Sequence, residues 1–340
     1  MNLTPIEWVS TPEKRGLTWN PISGCPGPKV SPGCSNCYAE RTAKTRLAGR
    51  CGYDADDPFG IHVFPERWLQ PLQRRKPARI FVCSMGDLFH GGVSDTHIAT
   101  LFGIMALCPQ HTFIVLTKRH ERMESFISNA RLSRCVGLAV CELPQEVLDK
   151  LHNKEPLHWP LPNVVLMVTV CNQAEAEEKI PVLLRTPAAM HGVSVEPMLG
   201  PVDFTRLHCS GWVDSDVKFV FDALQGRSES SQHINFDEEK LDWVICGGES
   251  GPKARPMHPD WVRSLRDQCG QARVPFFFKG WGEWTERDQY ADGLITYSGE
   301  YIASDNISGP WESSTALVCR VGKRRAGRLL DGEEWNEAPL

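Results

Sequence analysis

No stretch of this 340-residue sequence approaches the roughly 18 consecutive apolar residues that a membrane-spanning helix needs. The N-terminal segment lacks a basic run followed by an apolar one, so no secretory leader is expected and the reading is a cytoplasmic protein without a membrane partner. A global excess of positive charge is missing too: 37 Lys+Arg against 42 Asp+Glu leave a formal net charge of -5, which excludes a polybasic binder and confines any nucleic-acid contact to a local basic face. Internal repeats and low-complexity tracts are absent, so organisation has to come from the alternation of strands and helices, and the composition is neither disordered nor fibrous. The 13 cysteines are odd in number and spread along a chain with no export signal, so no disulfide scaffold is expected. What remains is 41% hydrophobic residues, enough for the core of one large or two ordinary domains.

That apolar material alternates between short buried strands and amphipathic helices. Strands are expected at Arg79 to Cys83, Thr112 to Leu116, Asn163 to Val170, His191 to Glu196, Leu241 to Cys246 and Val274 to Phe278. Helices are expected at Asp95 to Leu107, Glu121 to Asn129, Ala174 to Lys179, Val182 to Arg185 and Pro259 to Cys269, with Pro181 interrupting between the third and fourth. Such alternation predicts an α/β fold, a partial or closed parallel (β/α) barrel, with a doubly wound sheet as the other arrangement. Residues 1–286 would form the barrel, with polar insertions at about 51–76 and 205–240 and a C-terminal extension at 287–340. In either arrangement, functional groups gather at the C-terminal ends of the strands, which selects Ser84, Met85, Asp87, Thr117, Lys118, Arg119, Glu196, Glu249 and Lys279.

One Gly/Pro-rich loop concentrates thiols: Gly24-Cys25, then Ser31-Pro32-Gly33-Cys34-Ser35-Asn36-Cys37-Tyr38. Two residues separate Cys34 from Cys37, a gap that lets both thiolates face one metal, and the loop is long enough to bring Cys25 to them. Three thiolates without a local fourth ligand suit an iron-sulfur cubane with one open iron. Structural zinc would need a fourth ligand, for which Cys51, Cys83 and His62 are candidates, and unliganded thiols are the third possibility. The eight remaining cysteines read as apolar core fillers. The run Phe276 to Trp284 is either core or a stacking surface for an extruded base. Arg74-Arg75-Lys76 and Lys323-Arg324-Arg325 with Arg328 are surface charge or phosphate contacts.

With these motifs assembled, the sequence resembles a family of phage and prophage proteins whose cysteine loop is similar to that of radical S-adenosylmethionine enzymes. The resemblance rests on Trp19-Asn20-Pro21 with Gly24-Cys25, on Ser31 to Cys34 with Asn36 to Glu40, and on Ser84 to His90. It continues through Leu116 to Arg119, Val193 to Pro197, Gly247 to Gly251, and Phe278-Lys279 near Trp281 to Trp284. One departure is the eight residues between Cys25 and Cys34, where the superfamily loop has three. Another is that Gly247-Gly248-Glu249 follows a late strand, whereas the superfamily's Gly-Gly-Glu segment follows an early one.

The resemblance implies a barrel carrying a 4Fe-4S cluster on Cys25, Cys34 and Cys37, with S-adenosyl-L-methionine as second cofactor and an electron donor such as flavodoxin or ferredoxin. Arg119 or Lys118 would pair with the methionine carboxylate, Ser84 and Asp87 would bond its amino group or the ribose, and Tyr38 would lie on the adenine. Glu196 and Glu249 are implied for substrate or amine contacts, and Lys279 for a phosphate or carboxylate. The implied activity is radical remodelling of phage DNA in the host cytoplasm: isomerisation of an N-linked glycinyl-thymidine to the C-linked form during thymidine hypermodification. A lyase or repair activity on a thymine adduct is the related alternative. A zinc-stabilised nucleic-acid-binding protein without enzymatic activity is the contrasting one.

Overall fold

Where the sequence runs apolar without interruption, the chain forms parallel strands. The computed structural model describes residues 1–11, 15–145, 158–210, 218–229, 239–286, 301–303 and 317–339. Its central sheet has eight strands: β1 (Asn2–Leu3), β2 (Leu17–Trp19), β3 (Arg79–Val82), β4 (Thr112–Thr117), β5 (Val164–Thr169), β6 (Met190–Val195), β7 (Trp243–Gly247) and β8 (Phe276–Gly280). They are ordered in the sheet as they are in the chain. β1 is antiparallel to β2, whereas the pairs β2–β3, β3–β4, β4–β5 and β7–β8 are parallel. Every residue of β5 is buried, as in a parallel strand covered on both faces. A doubly wound sheet reverses its strand order at a switch point; this sheet does not, which removes that arrangement.

The helices follow their caps and stripes. Ser94 accepts the His97 N–H at 3.2 Å and opens α1 (Asp95–Ala106), which buries Ile98, Leu101, Phe102 and Met105. Next come α2 (His120–Asn129) and α3 (Leu132–Cys141). The latter was not foreseen; it packs closely on α1 because residue 103 is glycine, where a Cβ would stand 2.0 Å from the Cys135 carbonyl oxygen. The expected break at Pro181 does not occur, and α4 runs unbroken from Gln173 to Arg185. Burial of Ala176, Ile180, Leu183 and Leu184 outweighs the roughly 3 kcal/mol that an internal proline costs. His258 caps α5 (Pro259–Ala272), and Arg273 ends it in the left-handed region at φ 57°.

By contact density the chain divides into two units. The first comprises Met1–Val30, Ala39–Val168 and Val182–Gly192; the second comprises Ser31–Tyr38, Thr169–Pro181 and Val193–Leu340. The insertion read at 51–76 supplies strand His62–Val63, which pairs with Ile22–Ser23. That at 205–240 holds antiparallel strands Leu207–Ser210, Lys218–Asp222 and Arg227–Glu229, its residues 211–217 and 230–238 lying outside the described residues. Within the stretch read as an extension, 287–300, 304–316 and 340 lie outside them too. Its described tail runs along β8, where the Phe278 N–H donates to the Trp335 carbonyl at 2.9 Å, blunting an exposed sheet edge. No helix of the described residues is long and apolar enough to cross a membrane.

Candidate functional site

In the first unit, neighbouring parallel strands β2, β3 and β4 bring their C-terminal ends side by side. Asn20 follows β2, and its Oδ1 accepts the Ser84 hydroxyl at 3.2 Å and the Met85 N–H at 3.1 Å. Gly24, at φ 89°, donates to the Met85 carbonyl at 2.9 Å; a Cβ there would fall 1.7 Å from the Gly60 carbonyl oxygen, so the turn into Cys25 requires glycine. The Cys25 N–H donates to the Phe59 carbonyl at 3.1 Å, and His90 Nε2 donates to the Pro26 carbonyl at 2.9 Å. The thiol loop is thus fixed on both sides of Cys25.

Asp87 organises this cluster. Its Oδ1 accepts the Thr117 hydroxyl at 2.7 Å and the Phe89 N–H at 3.0 Å, and its Oδ2 accepts the Lys118 N–H at 3.1 Å and Arg119 Nη1 at 3.0 Å. The same Nη1 stands 3.2 Å from Cys25 Sγ. Burial opposes the Arg119 charge, but Asp87 and Cys25 outweigh it and raise the guanidinium pKa above its ordinary value. Asp87 therefore acts as an internal brace whose acceptor positions face protein donors, and Arg119 as the cation it aims at a thiol.

The second unit carries the other two thiols of the loop. Ser31 accepts the Gly33 N–H at 3.3 Å and donates to Glu175 Oε2 at 3.2 Å, and Glu175 is ion-paired to the fully buried Lys179. Beyond Cys34, Asn36 Nδ2 donates to Glu249 Oε2 at 3.0 Å and to the Lys253 carbonyl at 2.7 Å. Arg255 clamps the Glu249 carboxylate through Nη2 at 2.6 Å and Nε at 2.9 Å, and reaches the Pro32 carbonyl at 3.0 Å. Burial would raise the Glu249 pKa, yet the bonds from Arg255 and Asn36 hold it below the ordinary value. Glu249, at the Gly-Gly-Glu turn after β7, thus anchors the segment that bears Cys34 and Cys37. At the ends of β6 and β8, Glu196 Oε1 and Lys279 Nζ pair at 2.6 Å, and Ser194 donates to Glu196 Oε2 at 3.0 Å.

A family model described as protein of unknown function (DUF5131) matches residues 3–339. The chain belongs to the DUF5131 family. No curated protein and no solved structure matches it.

In this DUF5131 chain the thiols sort by environment. Cys25, Cys34 and Cys37 are partly exposed, whereas Cys83, Cys108, Cys135, Cys171, Cys209, Cys246 and Cys269 are buried. Burial pushes the Cys83 and Cys209 thiols up to about 12 and raises Cys135, Cys246 and Cys269 too, so these behave as core sulfur. Cys141 departs from the filler reading by being exposed, and Cys319 by being partly so. Among the described residues, no three His, Cys, Asp or Glu side chains are grouped as a metal site. Cys25, Cys34 and Cys37 are each accessible, Cys25 stands beside a guanidinium, and thiols are soft-metal donors by type.

Tyr38 is 47% exposed beside Cys37. The aromatic run resolves as core, because Phe276, Phe277, Phe278, Trp281 and Trp284 are all buried. Arg75, Lys76, Lys323, Arg324 and Arg325 are exposed. Sequence reasoning missed Arg255, only six residues beyond Glu249, and the pairing of Asn36 with Glu249, which joins residues 213 apart in the chain.

Proposed function

We propose that the protein is a radical S-adenosylmethionine enzyme built on an incomplete parallel (β/α) barrel, whose substrate is an amino-acid-bearing thymidine in DNA and whose reaction converts its N-linked glycinyl group to a C-linked one. The observation that carries the reading is the Arg119 guanidinium at 3.2 Å from Cys25 Sγ, on a thiol that is accessible in a chain where most cysteines are buried. A cation at that distance favours the thiolate, the form that ligates iron. The chain-ordered strands support the barrel, since consecutive parallel neighbours are its defining order.

In this reading Cys25, Cys34 and Cys37 hold a 4Fe-4S cluster that, with S-adenosylmethionine bound, supplies one-electron cleavage of the sulfonium and hydrogen abstraction at carbon. The chain's own groups bind and orient. Lys118, whose N–H is held by Asp87, takes the methionine carboxylate, Ser84 takes the amino group or ribose, and the exposed Tyr38 ring covers the adenine. Glu196 and Lys279 face the substrate, and an external flavodoxin or ferredoxin supplies the electron.

The test is anaerobic reconstitution with iron and sulfide analysis, followed by electron paramagnetic resonance of the reduced protein with and without S-adenosylmethionine. About four irons per chain and a spectrum altered by the cofactor are expected. One zinc per chain with no such spectrum overturns the reading and leaves a zinc-stabilised nucleic-acid-binding protein.

A further inference from the structure

Glu196 and Lys279 are not neighbours in the sheet. Glu196 follows β6 and Lys279 lies in β8, with β7 between them. Their backbones are thus separated by two strand spacings, about 9.5 Å, and the 2.6 Å ion pair is made by two long side chains reaching over the end of β7.

Two local features make this possible. The β7–β8 register runs Cys246 to Phe278 and then Gly247 to Gly280, so Lys279 is the extra residue of a bulge. Bulges re-aim a side chain, and they concentrate beside functional sites. The residue beneath the pair is Gly247, where a Cβ would stand 3.1 Å from Glu196 Oε1 and 3.2 Å from Lys279 Cβ. A bulge and a glycine thus place an ammonium and a carboxylate together over bare backbone. Both heads retain access to solvent, at 29% and 14% side-chain exposure, and Ser194 fixes the second carboxylate oxygen.

Building on the amino-acid-bearing substrate proposed above, we infer that the Glu196–Lys279 pair is a clamp for the zwitterionic head of an α-amino acid. Lys279 takes the carboxylate of the ligand and Glu196 takes its ammonium. The ligand's two charges replace the internal pairing, so neither protein charge is left uncompensated when the pair opens. An N-substituted amino acid is accepted because a secondary ammonium still carries N–H donors for Glu196. Gly247 supplies the floor, where any side chain would press against Glu196 Oε1 and Lys279 Cβ.

The test uses the metal-free full chain and N-methylglycine as probe, with acetate and methylammonium as single-charge controls, followed by calorimetry or ligand-observed magnetic resonance. N-methylglycine is expected to bind saturably and more tightly than either control. Glu196→Gln and Lys279→Met should each weaken it about tenfold or more. Ser194→Ala keeps both charges and should weaken it severalfold, so a clamp variant that fails to fold leaves the proposal testable. Binding no tighter than acetate or methylammonium, or unchanged in folded Glu196→Gln, overturns the inference. Reconstituting the same preparations separates the two readings. A cluster that responds to S-adenosylmethionine without zwitterion binding removes only the clamp, whereas zwitterion binding without a cluster supports the clamp and removes the radical reading.

Discussion

Arg119 Nη1 lies 3.2 Å from Cys25 Sγ, and Asp87 Oδ2 holds that same nitrogen at 3.0 Å. The two strand-end motifs and the thiol loop therefore act on one sulfur. Replacing the guanidinium by an apolar chain of similar length removes the charge that favours the thiolate, so Arg119→Met should slow alkylation of Cys25 severalfold near pH 7. Arg119→Lys, which keeps the charge but loses the fork, should retain part of the rate. Mass-mapped iodoacetamide kinetics read this directly; an unchanged rate in Arg119→Met would show that the contact does not tune the thiol.

The division among the cysteines gives a second expectation. Cys34→Ala and Cys37→Ala should lower iron per chain after reconstitution while leaving the melting temperature nearly unchanged, because both side chains are partly exposed. Cys246→Ala and Cys269→Ala should do the reverse, keeping iron and losing about 1 kcal/mol through a buried void. Iron analysis and thermal melts on the four proteins decide it, and iron loss shared equally by all four would sink the assignment.

Glu249 makes stability depend on acid. Its pKa is held below the ordinary value although burial opposes this, the bonds from Arg255 and Asn36 prevailing. A carboxylate depressed in the folded state contributes stability that is complete above its unfolded pKa of about 4.3 and is lost as pH falls through the folded value. Glu249→Gln should therefore flatten the acid side of the stability curve below about pH 4. Arg255→Met, which leaves the buried carboxylate without its cation, should cost about 2 kcal/mol at neutral pH, Arg255 being itself partly exposed. Chemical denaturation across pH tests both, and parallel acid limbs for wild type and Glu249→Gln would refute the linkage.

Legibility in the sequence followed locality. β3, β4 and β5 read directly because buried parallel strands are continuous apolar runs, and the strand-end rule then marked Ser84, Asp87, Arg119, Glu196, Glu249 and Lys279. The partners of these groups were hidden, because pairing Asp87 with Arg119, Asn36 with Glu249, or Glu196 with Lys279 depends on which distant segments the fold makes adjacent. β2 escaped notice because Leu17-Thr18-Trp19 is too short to show a period. Pro181 misled in the opposite direction, since a local rule yielded to the burial of a whole helix face.

Lys179 is the least foreseeable of these residues, a fully buried cation in a Glu-rich helix stretch. It pairs with Glu175 and donates to the Thr169 carbonyl at 3.3 Å, while Glu175 also takes the Cys171 N–H at 2.8 Å and the Ser31 hydroxyl at 3.2 Å. Removing one charge strands the other away from water, so Glu175→Ala or Lys179→Ala should each destabilise the fold by about 3–5 kcal/mol. Removing both charges with similar shapes, as in Glu175→Gln with Lys179→Met, should recover most of that loss. The recovered protein would still lack the carboxylate that ties Ser31 down, so its Cys34 should alkylate faster than wild type although its stability is near normal. Denaturant melts and Cys34 labelling on the double variant separate the two effects, and normal Cys34 labelling there would confine the pair to a purely structural role.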